Sequence, residues 1–261
     1  MSSTSPIHDA ARRGYTNASD SYQRGRPEYP DALGDWLSRM LGAGEGSRVV
    51  DLGAGTGKFT KLLARTGATL TAIEPVDAMR ARLSESLPKV RALAGTAEAM
   101  PLADGEADIV VCAQAFHWFA NGQALREIHR VLRRGGRLGL VWNVRDESRE
   151  WVAAITEIIT PYEGDAPRFY KGTWKQPFEG QRLFGPLQRA VFPHSHVGPF
   201  EQVVVDRILS VSFIAALPEA ERQSVAERLR ELKDRFAELR EPTIAFPYVT
   251  EAWLTERLSA A

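Results

Sequence analysis

Apolar residues in the first half of the chain alternate between helical spacing and short continuous runs. The first helical pattern ends at Gly42 and repeats every three or four positions through Leu33, Trp36, Leu37, Met40 and Leu41. Short apolar runs that are typical of strands follow at residues 48–52, 69–73, 90–93, 107–113 and 137–142. Helical patterns lie between most of these runs. This alternation predicts an α/β fold with an open, doubly wound and mostly parallel sheet.

The pattern changes after about residue 145. A helical pattern with Trp151, Ile155 and Ile159 leads into residues 160–186, which contain six aromatic residues, four prolines and four glycines. A loop of this length inside a compact domain is usually functional or disordered, and its aromatic content argues against disorder. We expect this segment to cover a substrate site, with an ordinary packed excursion as the alternative.

The C-terminal part contains one long helical pattern, followed by an alternating strand pattern at residues 243–249. The apolar stripe of the helix consists of Val225, Leu229, Leu232, Phe236 and Leu239. We interpret both elements as completing and covering the sheet. The prediction is therefore one domain over 1–261, with an arm and helix at 1–42, a core at 43–145 and the candidate cover at 160–186.

The composition narrows the classes of protein to consider. The 261 residues are 44% hydrophobic and 25% charged, and 33 basic residues balance 33 acidic residues. Zero net charge argues against a general attraction to nucleic acid or to anionic membranes. The first twenty residues lack the apolar core of a signal peptide, and no run of about 20 apolar residues occurs. Because Cys112 is the one cysteine, no internal disulfide is possible, and a cytoplasmic protein of undetermined oligomeric state is expected.

The most informative segment is the turn after the first strand, which runs Asp-Leu-Gly-Ala-Gly-Thr-Gly from Asp51 to Gly57. A Walker A loop is excluded, because Leu52 stands where its first glycine is required and Phe59 where Ser or Thr is required. The dinucleotide fingerprint fits only if its third glycine is displaced by one position. A carboxylate at the strand end would repel a phosphate but would hold a cationic amino group by charge-assisted hydrogen bonds.

With these motifs the chain resembles the class I S-adenosylmethionine-dependent methyltransferases of the small-molecule type, most clearly over residues 22–142. The family motif around the methionine part of the cofactor is matched by Asp51, Gly53, Gly55 and Gly57. Glu74 and Pro75 match the second motif, in which an acidic residue receives both ribose hydroxyls. Glu74 follows Gly53 by 21 positions, close to the ~20-residue interval at which a second strand brings a carboxylate to a ribose. The resemblance implies S-adenosyl-L-methionine as cofactor and a Rossmann-like sheet of seven strands.

The same resemblance implies further cofactor contacts. The third family motif usually reads Gly-Asp-Ala, whereas here Gly-Thr-Ala-Glu is found, so Ala97 and Glu98 are the candidates beside the adenine. Gln114 begins the loop after the fourth strand, which faces the same crevice as the glycine turn. Tyr22 and Arg26 are candidates to close over the cofactor carboxylate, or they anchor the N-terminal arm.

The acceptor side of the crevice is expected at the loop after the fourth strand. His117 is the candidate catalytic residue, as a base or as a group that positions the acceptor, with an inert pocket wall as the alternative. Candidate substrate contacts are Trp118, Tyr170 and Trp174. Residues 26–30 and 116–119 resemble local signatures of the trans-aconitate methyltransferase-like branch of the family. No metal site is predicted, because His194 and His196 lack further ligands nearby in the sequence.

The predicted function is transfer of the sulfonium methyl group to a small molecule by in-line displacement. Two other classes stay open at this stage. One is a nicotinamide-dependent oxidoreductase, and the other is a cofactor-binding subunit without activity. A nucleic-acid acceptor is not expected.

Overall fold

The computed structural model describes residues 25–259, so Tyr22 lies outside the described residues. Within that range seven strands form one sheet. They are β1 (Arg48–Leu52), β2 (Thr69–Ile73), β3 (Arg91–Leu93), β4 (Ala107–Ala113), β5 (Leu132–Arg145), β6 (Gln188–Gly198) and β7 (Ile244–Glu256). Their order across the sheet is β3-β2-β1-β4-β5-β7-β6.

The pairing of the strands is parallel over the first five and antiparallel at one edge. β1 pairs parallel with β2 and β4, and β7 pairs antiparallel with both β5 and β6. The strand order reverses between β1 and β4, and this is where doubly wound sheets bind their ligands. The predicted fold class, a mostly parallel seven-stranded sheet of Rossmann type, is confirmed.

Helices connect the strands and cover the sheet. They are α1 (Ala32–Trp36), α2 (Lys58–Ala64), α3 (Asp77–Ser86), α4 (Gly122–Val131), α5 (Glu150–Ile159), α6 (Arg207–Leu209), α7 (Ser212–Ala215) and α8 (Glu219–Arg235). A π-helical turn at Leu37–Leu41 extends α1 and ends at Gly42, whose φ of +85° is the left-handed conformation that glycine favours. A second π-helical turn, Glu201–Asp206, leads into α6.

Buried apolar side chains form separate clusters around the sheet. One face of the sheet packs against α1 and α2 through Leu33 and Leu63, and the other packs against α4 through Ile128. Another cluster joins α5, residues 201–215 and α8 to the start of β7. The short helices in residues 201–215 lack a clear period, so the sequence did not predict this cluster as a unit.

Residues 160–186 are largely packed against the sheet. Trp174 and Phe184 are 1% and 3% exposed, and the ring of Trp142 on β5 lies 4.7 Å from those of both Phe169 and Trp174. The second half of the segment is therefore anchored. No helix among residues 25–259 is long and apolar enough to cross a membrane.

Candidate functional site

A cavity of about 260 Å³ lies at the carboxyl ends of β1, β2 and β4, where the strand order reverses. Its wall contains nearly all the residues that the sequence assigned to a cofactor. They are Arg26, Asp51, Gly53, Gly55, Glu74, Pro75, Ala97, Glu98 and Gln114. Gly57 lies at the start of α2 with a φ of +87°, and a Cβ there would lie 3.0 Å from Leu83. Its role is to let the turn close against α3.

Asp51, at the end of β1, is 1% exposed and belongs to the cavity wall. Its Oδ2 accepts a hydrogen bond from the Thr60 hydroxyl at 2.6 Å, whereas its buried Oδ1 has no hydrogen-bond partner. Burial raises the pKa of Asp51 to about 7 against the hydrogen bond from Thr60, and the nearby Glu74 carboxylate adds to the rise. A buried carboxylate oxygen without a donor fits a cationic amino group.

Glu74, at the end of β2, is 5% exposed. Its Oε2 accepts from the Gly55 amide at 2.8 Å and its Oε1 from the Val76 amide at 2.9 Å. Burial raises the pKa of Glu74 against these two hydrogen bonds. Each carboxylate oxygen has a further lone pair, so the pair of oxygens can still receive two hydroxyl groups.

The glycine turn leaves open space beside these carboxylates. Gly53 has a φ of +73°, and a Cβ at this position would lie 2.7 Å from the Cβ of Ala115. Gly55 has a φ of +57°, and a Cβ there would meet only the Met79 sulfur, at 3.9 Å. Gly53 is thus required by a close approach between two loops, whereas Gly55 keeps part of the cavity free.

Glu98 lies at the far end of the cavity. Its Oε1 accepts from the Asn121 amide at 2.9 Å, and the Asn121 Oδ1 in turn caps α4 by accepting from the Ala124 backbone amide. The main chain around Ala97 forms part of the same wall, and Ala97 is buried. This end offers backbone groups and one carboxylate to a planar ligand.

Gln114 and Asn143 lie between this cavity and a second one. Gln114 has a φ of +56°, which is uncommon for a residue other than glycine and is often associated with functional sites. Its side-chain amide donates to the Asn143 backbone oxygen at 3.1 Å. The Asn143 amide in turn donates to the backbone oxygen of Glu28, which fixes the N-terminal arm beside the crevice.

The second cavity has a volume of about 110 Å³ and adjoins the first. Five residues line both cavities, namely Arg26, Gln114, Trp118, Asn143 and Arg207. Of the two cavities, His117 and Tyr170 line only the second. The Tyr170 hydroxyl donates to Glu163 at 2.5 Å, and the pKa of Tyr170 is raised to about 12 by the partial burial of this hydroxyl and by its bond to the Glu163 carboxylate.

His117 is oriented by a neighbouring tryptophan. The indole N–H of Trp142 donates to Nδ1 of His117 at 3.0 Å. An indole nitrogen can only donate, so the proton of the neutral imidazole is on Nε2. Burial lowers the pKa of His117 to about 3, and the nearby Arg168 and Arg26 contribute to the decrease. The ring is therefore a neutral hydrogen-bond donor at physiological pH.

The structure corrects the prediction that Trp174 contacts substrate. Its side chain is 1% exposed and lines neither of the two cavities described above. It packs instead among aromatic rings, 4.7 Å from Trp142 and 5.3 Å from Trp253 by ring centroids. The large apolar ring gains more from complete burial in the core than from a place at the cavity wall.

Sequence reasoning missed the arginines of the second cavity. Arg145 comes from the end of β5, Arg168 from the segment 160–186 and Arg207 from α6. They are far apart in the sequence and belong to no motif. Topology alone brings them together, so no local signal could have indicated them.

Comparison with known proteins finds a matching family model and relatives that cover most of the chain. Residues 50–140 match the family model described as Methyltransferase domain. An uncharacterized methyltransferase-like protein of Schizosaccharomyces pombe is 40% identical over 218 residues, which cover 83% of this chain and 84% of the relative.

Solved structures share the fold at low sequence identity. One from Anaeromyxobacter dehalogenans has a TM-score of 0.67 at 21% identity, covering 89% of this chain and 97% of that chain. A phosphoethanolamine N-methyltransferase of Haemonchus contortus, solved with S-adenosylhomocysteine, has a TM-score of 0.57 at 12% identity, covering 97% of this chain and 60% of that chain. At these identities the likeness shows the fold alone.

Proposed function

Because the chain belongs to the class I S-adenosylmethionine-dependent methyltransferases, we propose that it transfers the methyl group to a small-molecule acceptor bound in the second cavity. The single observation that carries the proposal is the junction of the two cavities. One has carboxylates and a glycine turn, and the other is small, polar and adjacent, with shared walls at Gln114 and Trp118. A cavity of about 110 Å³ favours a compact acceptor over a polymer.

The residues of the first cavity fit the parts of S-adenosylmethionine. The unpaired Oδ1 of Asp51 would hold the ammonium group, and Glu74 would receive the ribose hydroxyls. The wall near Ala97 and Glu98 would accommodate the adenine. When bound, the cofactor supplies a methyl group already activated by its sulfonium centre. The protein therefore has to align the acceptor and exclude water.

Cofactor binding distinguishes this function from the oxidoreductase alternative. We expect calorimetry to show S-adenosylmethionine binding with micromolar affinity, about −8 kcal/mol, and no saturable heat with NADH. Glu74→Ala should weaken binding by about 1.5–3 kcal/mol, because hydrogen bonds to a charged acceptor are lost.

Glu85→Ala is the matched control, since Glu85 is an exposed carboxylate on α3. Thermal unfolding of each variant shows whether the fold is retained. Saturable binding of NADH without binding of S-adenosylmethionine would contradict the proposal. Binding of S-adenosylmethionine without any methyl transfer across an acceptor panel would indicate that the protein is a cofactor-binding subunit without activity.

We propose that His117 positions the acceptor as a hydrogen-bond donor. Its Nδ1 is engaged by Trp142, and its Nε2 carries the proton, so neither nitrogen is available as a base. A pKa of about 3 places its titration far below the working range. An acceptor that needs no deprotonation, such as a carboxylate, suits this arrangement.

His117→Ala should raise the KM for the acceptor about tenfold, corresponding to one lost hydrogen bond of about 1.4 kcal/mol. The single-turnover rate should change little between pH 6 and pH 8, and its pH profile should match that of the wild type. Trp142→Phe is the companion variant, because it removes the indole donor to Nδ1 and keeps an aromatic, although smaller, ring at this position. A loss of 10²-fold or more in rate that recovers at high pH would instead identify a general base.

The candidate cover is best placed in the first half of the segment 160–186. Arg168, Phe169 and Tyr170 line the second cavity, and Tyr170 is 60% exposed, whereas Trp174 and Phe184 are buried. We propose that residues 163–172 move over the acceptor, with the buried Trp174 as the fixed end. Gly164 and Gly172, with φ of +55° and +73°, mark the ends of this stretch.

Hydrogen exchange tests this proposal. Amides of residues 163–172 should exchange faster than those of residues 174–184 in the free protein, because only the small side chain of Ala166 is fully buried in the first group, whereas Trp174 and Phe184 anchor the second. S-adenosylhomocysteine together with an acceptor should slow the exchange of the first group only. Equal and strong protection of both groups of amides in the free protein would show that the segment is an ordinary packed part of the core and does not move over the acceptor.

A further inference from the structure

The lining of the second cavity contains more arginines than carboxylates. Four arginines line it, namely Arg26, Arg145, Arg168 and Arg207, against the carboxylate of Glu147. Glu163 pairs with Arg168 at 3.6 Å, but it also pairs with Lys171 at 2.8 Å. The lining is therefore cationic even though the net charge of the whole chain is zero.

Two of these guanidinium groups have unused hydrogen-bonding capacity. Arg207 donates from Nε to the Tyr248 hydroxyl at 3.1 Å, while its buried Nη1 has no hydrogen-bond partner. The Arg145 guanidinium makes no hydrogen bond or ion pair with any residue in the range 25–259. A buried guanidinium without acceptors is costly, so this arrangement is maintained at the expense of stability.

The arginines are also close enough to repel one another. Burial lowers the pKa of Arg145 to about 10, and the charges of Arg207 and Arg168 contribute to the decrease. Burial lowers the pKa of Arg168 as well, against the opposing effect of Glu163, and Arg207 and Arg26 add to the decrease. Like charges held together in a partly buried cavity indicate a site for an anion, which would relieve both the repulsion and the unsatisfied donors.

The fold positions Arg145 and Arg207 with little freedom, whereas Arg168 lies in the stretch 163–172 that is proposed to move over the acceptor. Arg145 is paired with Tyr248 across β5 and β7, and the Tyr248 hydroxyl accepts from Arg207. The Arg168 guanidinium lies 5.1 Å from the ring centroid of Phe213, which supports it from one side. His117 lines the same cavity and carries its proton on Nε2, as deduced from its bond to Trp142. Planar guanidinium forks held in this way bind oxyanions with two parallel hydrogen bonds.

We propose that the second cavity is an oxyanion subsite, in which Arg145, Arg168 and Arg207 bind a carboxylate or phosphate group of the methyl acceptor. The acceptor is then a small organic anion, and its charged group sets its orientation toward the first cavity. Only one part of this inference rests on the proposed methyl transfer, namely that the bound anion is the methyl acceptor. The anion subsite itself is a property of the described residues.

Calorimetry with simple probes tests the subsite on the full chain saturated with S-adenosylhomocysteine. The probes are succinate, its uncharged analogue succinamide, and inorganic phosphate. We expect an anion to bind and succinamide to bind at least tenfold more weakly. Arg145→Gln and Arg168→Gln should each weaken binding of the anion by about 10- to 100-fold, since each removes one charge-assisted contact.

Arg189→Gln is the matched control, because Arg189 pairs with Glu251 on the exposed edge strand β6 and lines neither cavity. Arg168→Lys, which keeps the charge but loses the fork, should fall between the wild type and Arg168→Gln. The affinity for S-adenosylhomocysteine should stay within about twofold in all variants, and this also shows that they are folded.

The outcomes separate the two proposals. Preference for succinate identifies a carboxylate, and preference for phosphate identifies a phosphate; either result supports the subsite. Three results would overturn the subsite even when S-adenosylhomocysteine binds normally. Succinamide could bind as tightly as the anions, the arginine variants could bind the anions as tightly as the wild type, or no probe could bind at all. Absence of S-adenosylhomocysteine binding would instead overturn the proposed function, and the anion titrations without cofactor would still decide the subsite.

Discussion

Gly55→Val is expected to reduce the affinity for S-adenosylmethionine by at least about 100-fold, because the new side chain would overlap the ligand and cannot be displaced. A Cβ at this position meets no protein atom closer than the Met79 sulfur at 3.9 Å, so the substituent would point into the cavity. Gly55 also donates its amide to Glu74, and a shift of the turn would disturb the ribose site as well.

The cost of the left-handed backbone has to be separated from the loss of ligand space. Gly46 provides the control, because its φ is +83° and a Cβ there has nothing within 4 Å. Both valine variants should lose about 1–2 kcal/mol of unfolding free energy, the cost of a left-handed conformation for a residue with a Cβ. Only Gly55→Val should lose cofactor binding. Calorimetry giving the same affinity for both variants would show that the cofactor does not approach the Gly55 backbone.

The sequence was sufficient to predict the core of the fold. Residues 48–52, 69–73 and 107–113 were predicted as strands with the bounds that the structure has, because they are short runs rich in β-branched and apolar residues. β5 and β7 extend beyond their predicted bounds, because they pair with each other over the stretch from Arg137 to Arg145. Such pairing depends on partners about 100 residues apart, which no local pattern encodes.

The residues of the candidate site also differ in whether a local sequence pattern could indicate them. Asp51 and Glu74 could be predicted, because strand ends on one edge of a parallel sheet converge on the point where the strand order reverses. Arg145 and Arg207 could not, since the contact that brings them together passes through Tyr248 on a distant strand. Trp174 was misjudged because composition distinguishes an aromatic segment from a polar one, but not a cavity wall from the core.

The buried state of Asp51 leads to a pH dependence of the free protein. Its pKa is about 7 in the folded chain, whereas an unfolded aspartate has a pKa of about 3.9. The raised pKa means that the stabilising contribution of protonated Asp51 is complete below pH ~4 and is lost as the pH rises through about 7. Buried Glu74, whose pKa is also raised, acts in the same direction. Buried histidines with lowered pKa, such as His117, act in the opposite direction over this range, so the contribution of Asp51 has to be read against Asp51→Asn. The thermal midpoint of the cofactor-free wild type, relative to that of this variant, should decrease as the pH is raised from 5.5 to 7.5.

Cofactor affinity should show the opposite trend, since the ammonium group needs Asp51 in its charged form. With a pKa of about 7 in the free protein, the ionised fraction rises about 25-fold between pH 5.5 and pH 7.5, and the association constant for S-adenosylhomocysteine should rise in proportion. Asp51→Asn should lower the affinity at pH 7.5 by about 10- to 100-fold and abolish most of the pH dependence, because the charge is gone.

Thr60→Val shows whether Asp51 is the group that titrates. The Thr60 hydroxyl donates to Asp51 Oδ2 at 2.6 Å and holds the pKa of that carboxyl down against the effect of burial. Its removal should raise the pKa of Asp51 further, and the midpoint of the affinity profile should move to higher pH, while the maximal affinity at high pH is still reached. Asp51→Asn loses this maximal affinity, so the two variants have different signatures in the same titration.

An affinity that is constant from pH 5.5 to pH 7.5 in the wild type would place the ammonium group away from Asp51. The unpaired Oδ1 would then need another donor in the bound state, because a buried carboxylate oxygen without one remains costly.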